Sequence, residues 1–122
     1  RRDKDFAFFL RNEVGSWRML LSQPQGQPVN GFLAMSTHPS FTMIGPGLAA
    51  DEATAIALLW QALDNLRGRS LVFLAPCKAS RLVQTAYAWG ARNVELHVAQ
   101  ATAPIGIESK GIVFPTFMPE SA

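Results

Sequence analysis

At Asp51 the chain changes its period, and this change limits what it can fold into more than any other feature. From there Ile56, Leu59, Leu63 and Leu66 recur at i, i+3, i+7 and i+10 with Ala-rich filling. That spacing predicts an amphipathic helix over 51–67, with Gly68 placed as its C-terminal stop. Leu71-Val72-Phe73-Leu74-Ala75 follows as an unbroken apolar run closed by Pro76. Such a run between turn signals predicts a central strand covered on both faces.

Before Asp51 the pattern is mostly that of strands and turns. Asp3 or Asp5 caps a short helix with Phe6, Phe9 and Leu10 on one face, ended by Gly15. Trp17–Gln23 and Val29–Thr37 are predicted to form a hairpin about the Gln-Pro-Gln-Gly-Gln-Pro turn at 23–28. Phe41–Ile44 reads as a third short strand that stops at Gly45-Pro46-Gly47, giving an antiparallel meander.

After the central strand, 78–89 reads as a helix with Leu82, Val83, Ala86 and Trp89 buried. Val94–Ala101 alternates as a half-buried strand, and Ile112–Phe117 forms the last one. The expected fold is therefore α+β or α/β: a mixed, mostly antiparallel sheet flanked by helices, in one domain over 1–122.

A chain of 122 residues, 48% hydrophobic, supplies one core and not two. It opens on Arg1-Arg2 without an initiator Met, so a piece of a longer protein is expected. One cysteine, Cys77, closes no intrachain disulfide, and no secretory signal or apolar run of about 20 residues occurs. A cytoplasmic location is the expectation, with no membrane span. The net charge of +2 is scattered, which is no footprint for nucleic acid. Two His and one Cys build no ordinary structural zinc site. G-x-S-x-G, phosphate-loop and dinucleotide fingerprints are absent.

The order of elements resembles the GNAT superfamily of N-acetyltransferases from the second helix onward. The run from Ile44-Gly45-Pro46-Gly47-Leu48 through Ala55, continuing to Leu58-Leu59, resembles the second half of tandem GNAT-like proteins. So do Tyr87-Ala88-Trp89-Gly90-Ala91-Arg92-Asn93-Val94-Glu95 and Phe114-Pro115-Thr116-Phe117-Met118-Pro119-Glu120. The resemblance covers almost the whole chain through motifs of low specificity. It implies acetyl-CoA as cofactor, with its pantetheine arm on the backbone of the strand before the helix, at Met43, Ile44, Gly45, Gly47, Leu48 and Ala49. The pyrophosphate would lie at the helix N-terminus, on Ala53, Thr54 and Ala55.

The superfamily opens that helix with Arg or Gln followed by x-x-Gly-x-Gly/Ala, because bare N–H groups bind phosphate. Here Ala50 replaces the Arg or Gln, Ala53 replaces the first Gly, and Asp51 and Glu52 bring negative charge beside the anion site. A rival register, Thr42–Gly47, keeps both glycines but sits before the helix, and its Pro46 lacks an N–H.

Glu95 and His97 share one face of the predicted strand and suit a general base for an amine. Tyr87 is the candidate proton donor, one residue from the place where the superfamily carries its Tyr. An ordinary solvated strand face also accounts for Glu95 and His97, a helix-edge tyrosine for Tyr87, and helix capping for Asp51 and Glu52. Cys77 has no recognisable nucleophile motif around it, and the three Trp line either a core or an apolar ligand cleft. Two functions remain open: acyl transfer from acyl-CoA to a small-molecule or peptide amine, or a catalytically silent module that binds a ligand or packs against a catalytic partner domain or a second copy.

Overall fold

The computed structural model describes residues 3–98, 102 and 110–115. The elements run α1 (Asp3–Arg11), β1 (Trp17–Ser22), β2 (Gly31–Ser36), β3 (Met43–Ala49), α2 (Glu52–Asn65), β4 (Val72–Phe73), α3 (Ser80–Ala88) and β5 (Ile112–Phe114). They form a mixed, mostly antiparallel five-stranded sheet with three helices, in the order β1-β2-β3-β4, with β5 also on β3.

The predicted hairpin forms from Trp17↔Ser36 to Ser22↔Gly31. Asn12 fixes its entry. This residue takes φ 45° at the end of α1. Its side chain accepts from the Trp17 N–H at 2.9 Å and donates to the Trp17 carbonyl at 2.7 Å. An Asn tolerates that left-handed backbone better than most residues.

β3 departs from expectation, because it does not stop at Gly45-Pro46-Gly47 but runs through it to Ala49. The local signal failed because Pro46 lies at a bulge, where a missing N–H breaks no ladder bond. Leu33 pairs with Gly47 and Met35 with Ile44, so β3 carries one extra residue there. The extra residue reverses the alternation. Ile44 and Ala49 consequently face the α2 side with Leu33 and Met35, whereas Met43 belongs to the opposite cluster.

Each face of the sheet has its own core. On one, α2 and α3 pack Ala55, Leu58, Leu59, Ala62, Leu82 and Ala86 against the strands. On the other, Phe9 of α1 packs with Trp17, Ala34 and Met43, its ring edge-on to Trp17 at 4.6 Å.

α2 buries Leu59 and Leu66 as predicted, while Ile56 and Leu63 are half-buried, because its inner face centres on Ala55, Leu58, Leu59 and Ala62. Leu10 is exposed, since Phe9 takes the inward position of α1. Trp89 is partly exposed rather than buried at the end of α3.

The predicted central strand is reduced to Val72 and Phe73, which pair in parallel with Met43 and Ile44. It ends the sheet path and is half-buried. The predicted strand at 94–101 is not formed over 94–98, and Val94, Leu96 and Val98 are exposed. Its last residues, 99–101, lie outside the described residues, as do 116 and 117 of the last predicted strand. Among the described residues no helix is long and apolar enough to cross a membrane.

Candidate functional site

The residues expected to hold acyl-CoA do converge, along β3 and the first turn of α2. Met43, Ile44, Gly45, Gly47 and Ala49 are buried, and Leu48 is exposed. A pantetheine arm would need free backbone N–H and C=O groups on one edge of this strand. One edge is taken by β2. On the other, β4 pairs with Met43 and Ile44, and β5 pairs with Gly47, Leu48 and Ala49 through Phe114, Val113 and Ile112.

Between these two ladders the chain is equally close. A Cβ built on Gly45, whose φ is +125°, would lie 2.6 Å from the Pro115 carbonyl oxygen. A side chain has no room there. On the opposite edge, a Cβ built on Gly47 would come within 2.9 Å of the Phe32 carbonyl oxygen of β2. The edge on which a cofactor would lie is thus lined by the chain's own residues from Met43 to Ala49.

The helix start is also engaged. Asp51, in extended conformation, caps α2 by accepting from the Thr54 N–H at 2.7 Å. An acceptor at this position satisfies one of the bare N–H groups that would otherwise face an anion. The Thr54 backbone and hydroxyl hydrogen bonds hold the Asp51 carboxyl below its ordinary 3.8, assisted by the Ala53 N–H and the Arg81 charge and opposed by desolvation. Thr54 is buried, and its Oγ1 accepts from Asn30 Nδ2 at 3.2 Å. Ala55 is fully buried in the core, whereas Ala53 is exposed.

Glu52 does something the sequence did not reveal. Its Oε2 accepts from the Leu82 N–H at 2.9 Å, so α2 caps α3. The N-cap position of α3 is Ala79, which offers no side-chain acceptor. That missing acceptor was the available signal for a cap from elsewhere in the chain. Both carboxylates beside the expected anion site are therefore already committed to helix termini.

Of the expected catalytic residues, Glu95 and His97 meet, with Oε2 and Nε2 3.5 Å apart on an exposed segment that is not a strand. Tyr87 stands half-exposed on α3. Cys77 is exposed. Trp17 is core, but Trp60 and Trp89 lie at the surface with ring centroids 5.1 Å apart. With Leu63, Asp64 and Arg67 they line an open groove of about 340 Å³. Among the described residues no group of three or more His, Cys, Asp or Glu is placed to hold a metal ion.

Compared with models of known families, with curated proteins and with solved structures, the chain matches none of them.

Proposed function

We propose that this chain is a GNAT-like domain serving as a catalytically silent module of an N-acetyltransferase, packing against a catalytic partner domain instead of holding acyl-CoA itself. The observation that carries this reading is the pairing of β5 with Gly47, Leu48 and Ala49, on the backbone where the pantetheine arm would bind. The Asp51 cap supports it, because the N–H of Thr54 is not available to a pyrophosphate.

Acyl-CoA-dependent transfer to an amine is the second reading, favoured by the exposed Glu95–His97 pair, a carboxylate and an imidazole close enough to relay an amine proton. Titration calorimetry with acetyl-CoA separates the two. The native chain should give no binding heat. Asp51→Asn with Glu52→Gln, which keeps both hydrogen-bond acceptors and removes both charges, should give none either, since it leaves β5 in place. A one-to-one binding isotherm for either protein would overturn the silent-module reading and restore the transferase one.

A further inference from the structure

The side of α2 turned away from the sheet carries a stripe of its own. Trp60, Leu63, Asp64 and Arg67 recur at i, i+3, i+4 and i+7, the spacing of neighbours on one helix face. Glu52 bonds the Leu82 N–H in the first turn of α3, and Trp60 meets Trp89 at the C-cap of α3, so the two helices run side by side in one direction. The groove of Trp60, Leu63, Asp64, Arg67 and Trp89 opens where they meet at the surface.

Contact between the two indoles joins the helices without covering the rings. Trp60 is 53% and Trp89 37% exposed. Single apolar residues scattered on a surface are ordinary, but two tryptophans in contact along one groove form a patch. Tryptophan and arginine are enriched among the few residues that carry most of the binding energy of protein interfaces. A small-ligand site buries most of its ligand, which an open groove does not. This one suits an apolar side chain presented by a larger partner.

Charge then selects the partner. Residues 65–94 contain Arg67, Arg69, Lys78, Arg81 and Arg92, all exposed, and no Asp or Glu. Both acids of α2 are engaged, Glu52 by the Leu82 N–H and Asp64 by Arg67. Arg67 places Nε and Nη2 on the same Asp64 oxygen, Oδ1, which leaves further guanidinium N–H groups to donate. Phosphates would be drawn to such cations too, but the Asp64 carboxylate in the groove itself repels them.

We propose that this groove docks an acidic segment of another protein chain, with an apolar side chain seated on Trp60, Leu63 and Trp89 and a neighbouring carboxylate paired with Arg67. An amphipathic helix laid along the groove is the common form of such a contact. The partner domain of the proposed function would sit on this face, and to that extent the inference rests on that reading.

Calorimetry on the native chain tests it with two synthetic amphipathic helical peptides that share a face of leucine and phenylalanine and carry either glutamate or lysine on the other. The glutamate peptide should bind one to one, more weakly as salt rises, and about tenfold more tightly than the lysine peptide. Trp60→Ala should weaken its binding by about tenfold or more. Arg67→Glu should reverse the order of the two peptides. Both positions are exposed, and circular dichroism checks that each variant keeps the native spectrum. No binding of the glutamate peptide, equal affinity for both peptides, indifference to either substitution, or an oligothymidylate that binds more tightly than the glutamate peptide would overturn the proposal. Titration with acetyl-CoA keeps the two claims apart. A chain that binds both acetyl-CoA and the glutamate peptide loses the silent-module reading alone, whereas one that binds neither loses the docking groove alone.

Discussion

At the scale of single residues, Asp51 decides how the start of α2 is used. Its carboxylate takes the N–H that an anion would have taken. Because this bond lowers the folded-state pKa below 3.8, the cap contributes fully above the unfolded value and is lost as pH falls through the lower, folded one. Asp51→Ala should therefore lower the melting temperature at neutral pH, and the gap to the native chain should narrow as pH falls below about 3.8 and through the lower, folded-state value. Thermal unfolding followed across pH checks this, and a gap of the same size in acid as at neutral pH would mean that the charge plays no part. Leu59, fully buried among the residues of the α2 core, should cost about 2–5 kcal/mol on replacement by Ala. Denaturant unfolding measures that loss. The sequence marked Leu59 correctly because a helix stripe is a local pattern. It could not tell that Glu52 reaches 30 residues onward to Leu82, since nothing in residues 52–56 depends on where α3 lies.

At the scale of elements, the two helices over one face are coupled through that carboxylate. Glu52→Ala leaves the Leu82 N–H without its acceptor, at a cost of roughly 1–3 kcal/mol. Glu52→Gln keeps an acceptor and should recover most of it. Equal losses for the two substitutions, measured by chemical unfolding, would place the effect elsewhere. Elements held by local chemistry were legible: the β1–β2 hairpin from its Pro/Gly turn, and α2 from its period and from Asp51 and Gly68. Elements defined by pairing were not. Pro46 and its flanking glycines spell a stop, yet β3 continues because its bulge tolerates a residue without an N–H. Val94, Leu96 and Val98 spell a strand, yet alternation alone supplies no neighbour to bond with, and 94–98 stays out of the sheet. Leu71–Ala75 reads as central because it is apolar throughout, but the sheet path ends there.

At the scale of the whole molecule, the same principle governs the candidate site. The family resemblance, and not the turn signals, placed Met43–Ala49 and Ala53–Ala55 side by side, and the fold keeps them adjacent on β3 and the first turn of α2. It gave no sign that a three-residue strand more than sixty positions later would run along Gly47–Ala49. Hydrogen exchange reads whether β5 closes that edge of β3. Amides of β3 and β5 that bond each other should be protected well above those of the exposed segment 92–98, and adding acetyl-CoA should change neither set. Rapid exchange throughout 112–114, or new protection along 43–49 when acetyl-CoA is added, would mean that β5 does not close the edge and that it opens to a cofactor.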